Sequence, residues 1–253
     1  KNRRPESNSL HRYKVPILDR TLDLLEKLSQ HPEGLTLTAL TEMLAMPKNS
    51  VFRILTTLTL RGYAERDEST KTYRLSRKLL TVSHGALGGL RLLEAAAPVL
   101  RSLRDATGET ALLGTLSGSQ GVVLDQIPSS HPVKVVVEVG HIFPLHTAAP
   151  AKAMLAFLPV ETQKTQIAGI HFTKHTRATI CTPKAFAAEL AEVREKGYAL
   201  DRCEESETYA CAAAPVFNQR GEVIAALWIS GPSDRLPVAN LPAAGSVVLE
   251  HAR

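Results

Sequence analysis

The run KNSVFRILTT, residues 48–57, interleaves apolar side chains with small polar and basic ones. Val51, Ile54, Leu55 and Leu58 recur at the spacing of one helix face. Lys48, Asn49, Ser50, Arg53 and Thr57 then project elsewhere, with Phe52 near them. These side-chain types suit the major groove of duplex DNA. Arg and Lys reach guanine edges or phosphates, Asn pairs with adenine, and Ser and Thr take phosphates. The start of a helix also offers unpaired backbone N–H groups to a phosphate. A second set of reactive types lies apart from these: His146, Asp201, Cys203 and Cys211. They include metal-ligand types but lack paired metal-ligand spacing, so no metal is expected. Cys211 with His146 would form a nucleophile–base pair. No GxSxG, HExxH, P-loop or GxGxxG accompanies it, so neither catalysis nor a cofactor is expected.

The charge distribution favours the groove. Residues 1–75 hold 13 Lys and Arg against 9 Asp and Glu, while the remainder hold 17 against 16. A basic N-terminal module points to a polyanion, of which nucleic acid is the usual one. The chain has 253 residues, 44% of them hydrophobic, enough for one large domain or two ordinary ones. No apolar stretch approaches the length of a membrane span, and the basic N-terminus lacks the apolar core of a signal peptide. Three cysteines without CxxC spacing fit a reducing cytoplasm.

Three helices and a hairpin position the polar face. Apolar spacing and Pro16 predict a helix over 16–30. A second starts after Thr36, as N-cap, and ends near Ala45. The third runs from Pro47, a first-turn proline, to about Leu60, with Gly62 stopping it. YAERD and KTYRL flank a polar turn and read as a hairpin, whose Lys71 and Arg74 would reach the flanking DNA backbone. This is the layout of a winged helix-turn-helix over 15–75, preceded by a basic arm, 1–14. Ser76 caps a connector helix over 76–92, containing Leu79, Leu80 and Val82 and then the glycine-rich HGALGGL.

A helix over 93–106 opens a second domain, 93–253, and ends at Gly108. TALLGTL, GVVLDQI and VKVVVEV read as antiparallel strands. APAKAMLAFL is a helix. TPKAFAAELAEVREKG is another, with Thr182 as N-cap, Pro183 in the first turn and Gly197 as C-cap. YALDRC, CAAAPVFN and EVIAALWISG add strands, with a turn at residues 218–221, and a terminal helix follows. The fold class is α+β on an antiparallel sheet.

The chain resembles the IclR family of bacterial transcriptional regulators over almost its full length. The resemblance rests on LDRTLDLLEKLSQHPEGLTLTAL, MPKNSVFRILTTLTLRGYAERD, PLHTAAPAKAMLAFLP and REKGYALDRCEESETYACAAAPVFNQRGEVIAALWISGP. Most specific are Gly197, Asp201, Glu204, Cys211, Ala213 and Asn218 at the separations of the family's C-terminal signature. The resemblance implies a winged helix-turn-helix, a linker helix and a GAF-like effector-binding domain. It implies dimers or tetramers on operator DNA, released or engaged by a small metabolite. Departures are Ala45, where the family often has Gly, Ala151-Lys152-Ala153 for Gly-Lys-Ala, Ala212 after the cysteine, and Trp228-Ile229 for Ser-Val.

The family position of the pocket implies effector contacts at His146, Thr147, Ala149, Pro150, Ala151, Asp201, Tyr209, Cys211, Trp228 and Ser230. An aromatic wall beside Asp, His and Tyr suits a sugar acid or an aromatic acid better than a two-carbon acid. The expectation is a repressor that binds a near-palindromic double-stranded operator as a homodimer or homotetramer. The alternatives are a metal-responsive regulator and a GAF-like cysteine redox enzyme.

Overall fold

The computed structural model describes residues 14–79, 82 and 91–253. The chain divides into two compact units, Lys1–Leu90 and Arg91–Arg253. The expected arm, except Lys14, and most of the expected connector, residues 80, 81 and 83–90, lie outside the described residues.

In the first unit, helix α1 (Pro16–Ser29) has Pro16 in its first turn. Strand β1 (Leu35–Thr36) leads into α2 (Leu37–Met43), where the Thr36 side chain accepts a hydrogen bond from Ala39 N. Helix α3 spans Lys48–Leu60, so Pro47 is its N-cap rather than its first helical residue. Helix α2 stops two residues before Ala45, which turns back with a φ of +48°. Strands β2 (Ala64–Arg66) and β3 (Thr72–Leu75) form the expected hairpin. β1 adds a third strand that the sequence pattern did not announce, pairing Leu35 with Tyr73. Leu24, Leu28, Leu40, Val51, Ile54, Leu55 and Leu58 close the core, so α3 is held by its apolar face alone.

The second unit is built on a six-stranded antiparallel sheet in the order β6-β5-β4-β9-β8-β7. Its strands are β4 (Thr110–Ser117), β5 (Gln120–Ile127), β6 (Ile142–Phe143), β7 (Ala199–Asp201), β8 (Tyr209–Phe217) and β9 (Val223–Pro232). Side chains alternate across it. Leu112, Ala213 and Trp228 face a core with α5 (Ala149–Leu155) and α7 (Pro183–Lys196). Leu113, Ala212, Leu227 and Ile229 face a core with α4 (Arg91–Thr107) and α8 (Leu241–Ala252). Burial on both faces explains why these strands read as continuous apolar runs. Thr182 caps α7 through Ala185 N, and Gly197 ends it with a φ of +81°, as expected.

One expectation fails here, and one helix was not anticipated. VKVVVEV is not a strand: residues 133–139 carry no ladder. The neighbouring edge of β5 is occupied otherwise. Val123 donates to His141 O and accepts from Gly140 N, and the Gln126 side chain accepts from Val137 N. Helix α6 (Val160–Gly169) was not visible in the pattern, because it buries none of its residues and so has no apolar stripe.

Candidate DNA interface and effector cavity

Lys48, Asn49, Phe52 and Arg53 are exposed on α3, opposite its buried face. Lys48 and Arg53 have no ion-pair partner among the described residues. Both cations are therefore available to a polyanion without breaking an existing bond. Ser50 is half-buried and lines a groove with Ile17 and Thr21 of α1, together with Thr57 and Arg53. The Thr57 hydroxyl donates to Arg53 O at 2.9 Å. The expected wing contacts differ from the helix contacts. Lys71 is paired with Glu68 at 2.9 Å and Arg74 with Glu65 at 3.1 Å. Each must exchange a carboxylate for a phosphate to touch DNA, and exposed pairs of this kind hold only weakly.

The second unit contains a cavity of about 410 Å³. Of the expected contacts, Pro150, Asp201, Tyr209, Cys211, Trp228 and Ser230 line it. His146, Thr147, Ala149 and Ala151 do not. The two alanines are fully buried in the core, and Thr147 Oγ1 is buried without a partner among the described residues. His146 Nε2 is hydrogen-bonded to Thr173 O at 2.9 Å and its ring packs edge-on to Phe172. Burial pushes its pKa down, toward the neutral imidazole.

Sequence reasoning missed Val123, Val135, Val136, Val137, Glu138, His141, Phe143 and Glu205 in the lining. Val135, Val136, Val137 and Glu138 belong to 133–139, the segment expected to be a strand. Freed from the sheet, it contributes a wall to the cavity instead.

The aromatic wall has two seats. Trp228 and Phe143 meet edge to face at 5.6 Å. Trp228 lies over Gly114, where a Cβ would come within 2.9 Å of its ring and 2.7 Å of Val122 O. Phe143 lies over Gly121 in the same way, and a Cβ there would overlap its ring. Glycines inside β4 and β5 were the sequence signal for this close approach.

The polar lining is acidic. Asp201 is 1% exposed and accepts a hydrogen bond from Glu204 N at 2.7 Å. Burial pushes its pKa up to about 7, against the opposing effects of that bond and of Lys152. Glu138 and Glu205 add carboxyl groups, and no Lys or Arg lines the cavity among the described residues. Cys211 Sγ lies 3.2 Å from Ser230 Oγ, and burial raises the thiol well above its ordinary range. A neutral thiol without a base is a poor nucleophile. His146, bonded to Thr173 O, does not join it. Among the described residues no group of three His, Cys, Asp or Glu is placed to hold a metal ion.

Beneath the cavity, Lys152 is fully buried. Its ammonium donates to Leu200 O at 3.0 Å and to Glu204 Oε1 at 2.5 Å, with Glu189 at 3.7 Å. Arg202 pairs with Glu189 at 2.9 Å. Burial raises the Glu204 carboxyl and Lys152 lowers it. Glu204 is thus fixed by Lys152 through its side chain and fixes Asp201 through its backbone. Lys152, in the expected pocket loop, is a support and not a lining residue.

A basic recognition helix in one unit and a polar-and-aromatic cavity in the other define a DNA-binding regulator with a ligand-sensing domain. Comparison with known proteins gives the lineage. The family model for the IclR helix-turn-helix domain matches residues 17–68, and that for the bacterial transcriptional regulator IclR C-terminal region matches residues 84–253. The chain belongs to the IclR family of bacterial transcriptional regulators. It is 34% identical to the HTH-type transcriptional regulator BhcR of Paracoccus denitrificans, over 94% of this chain and 85% of that one. It is 31% identical to the regulator XynR of Escherichia coli, over 90% of each. An IclR transcriptional regulator from Alicyclobacillus acidocaldarius superposes with a TM-score of 0.75 at 27% identity, over 95% of this chain and 97% of that one. An IclR homolog from Microbacterium hydrocarbonoxydans, complexed with 4-hydroxybenzoate, shares the fold with a TM-score of 0.74 at 22% identity, over 94% of this chain and 99% of that one. These relatives are regulators, and the cysteine-enzyme and metal-sensor alternatives find no support among them. Among the described residues no helix is long and apolar enough to cross a membrane.

Proposed function

We propose that this chain is a cytoplasmic repressor that binds a near-palindromic duplex operator as a homodimer or tetramer and is controlled by a small organic acid in the cavity. The observation that carries the reading is an aromatic-walled cavity in a chain whose other unit presents, on the exposed face of a helix, basic side chains without an ion-pair partner among the described residues. The functional segments are the arm 1–14, the DNA-binding domain 15–75, the connector 76–92 and the effector domain 93–253. The effector binds one arrangement of the protein better than the other, and this differential affinity shifts operator binding.

The cavity narrows the chemistry of the effector. Trp228 and Phe143 suit an aromatic ring or the apolar face of a sugar. Tyr209 and Ser230 supply hydroxyl groups. A carboxylate entering beside Asp201 meets no lining Lys or Arg among the described residues, so Asp201 receives it as a neutral hydrogen-bond donor. Asp201 is mostly protonated below about pH 7 and mostly ionised above it. An acid therefore binds more tightly at low pH, with affinity falling about tenfold between pH 6 and 8.

Trp228 is the chain's one tryptophan and lines the cavity, so its fluorescence reports occupancy directly. The test is a fluorescence titration with 4-hydroxybenzoate and a panel of aromatic and sugar acids, followed by operator-binding assays with any ligand that responds. Asp201→Asn keeps the acceptor for Glu204 N, supplies a permanent donor and flattens the pH profile. A fluorescence signal indifferent to the whole panel refutes the acid reading. A profile that stays steep in the Asn variant removes Asp201 from it.

A further inference from the structure

Phe52 is the outlier on α3. It is 51% exposed on the helix that carries Asn49 and Arg53, and it belongs to no core cluster. Among the described residues it makes no aromatic or cation contact. Thr56, one turn further on, donates its hydroxyl back to Phe52 O at 2.8 Å. With the hydroxyl so engaged, the methyl is the part of the Thr56 side chain left to make contacts. The exposed face of the helix thus has two chemistries, with Lys48, Asn49 and Arg53 polar and the Phe52–Thr56 pair apolar. A phenyl ring gains nothing from phosphates, and it cannot pair with base-edge donors or acceptors. The major-groove edge of unmodified DNA offers one apolar group, the 5-methyl of thymine.

We propose that Phe52 is a specificity-determining residue that packs, with the Thr56 methyl, against a thymine 5-methyl group in each operator half-site, next to the bases read by Asn49 and Arg53. The inference rests on α3 being the helix that enters the groove. Phe52 selects T·A over the other pairs at one position by apolar burial, with no hydrogen bond.

The experiment uses the full chain and a random duplex pool, from which binding sites are selected. Each thymine of the selected half-site is then replaced in turn by uracil, which deletes only the methyl. One position is expected to weaken wild-type binding about three- to tenfold, the scale of one or two buried methyl contacts. Phe52→Ala should lose its preference at that position alone, be indifferent to uracil there, and retain selection at the bases read by Arg53. Its melting temperature should match the wild type, since the ring is exposed. Uracil tolerated at every thymine by the wild-type chain overturns the proposal. So does an equal loss in wild type and Phe52→Ala. Failure to select any site refutes the groove-binding reading of α3 itself, a different result from a selected site that ignores uracil.

Discussion

The two recognition sites of this chain are built on opposite plans. The DNA face is one helix of 13 residues, with every expected base contact within ten positions. The effector cavity draws on residues from Val123 to Ser230, on strands β5 to β9, the start of α5 and an unpaired segment. A helix places its side chains by its own period, so its site survives changes elsewhere while its apolar face stays packed. A cavity exists only while strand register, loop path and buried charges all hold. The first plan gives a site that mutates locally. The second gives one that fails from a distance.

The strongest way to break that contrast is Lys152→Met. Lys152 does not line the cavity, yet its loss leaves the buried Glu204 without its ammonium partner, while Glu189 keeps only Arg202. We expect the second unit to lose about 3–5 kcal/mol, read by calorimetry, and the Trp228 response to vanish. An unchanged melting profile would mean that the cavity is as local as the helix. Arg53→Ala sharpens the contrast from the other side. It should weaken operator binding by roughly 1–3 kcal/mol and relax selection at one base, leaving the Trp228 signal intact. The smallest effect tests the turn before α3. Ala45 holds a φ of +48°, where a Cβ is unfavourable. Ala45→Gly should stabilise the first unit by about 0.5–1 kcal/mol with no change in specificity, checked by denaturant titration.

Legibility followed the same division. Apolar period and caps revealed α1, α2 and α3, because each is decided by residues within a turn or two. Thr36 and Thr182 cap their helices as expected, and Gly197 closes α7. In the cavity, strand residues such as Asp201, Cys211 and Ser230 came through the family resemblance. The wall from Val135 to Phe143 did not, because its valines carry high strand propensity and only a tertiary fact, the bonding of β5 to His141, Gly140 and Gln126, denies them a ladder. His146 was misplaced because its own polarity gives no hint that Thr173 O takes its ring nitrogen. Helix α6 carries no periodic signal at all.

The seating of Trp228 on Gly114 bears on how such a sensor changes its ligand over evolutionary time. The ring occupies space that exists only because Gly114, diagonal to it on the neighbouring strand, has no side chain. Replacing the tryptophan by a small residue opens a void. Adding a side chain at Gly114 while the tryptophan remains produces a clash. Neither intermediate is neutral, so the two positions form a ratchet. The indole can be lost only at the cost of a void, and the glycine can be filled only once the indole has gone. A change of ligand at this wall is therefore a change at two positions, on β4 and β9 of the second unit, far apart in sequence.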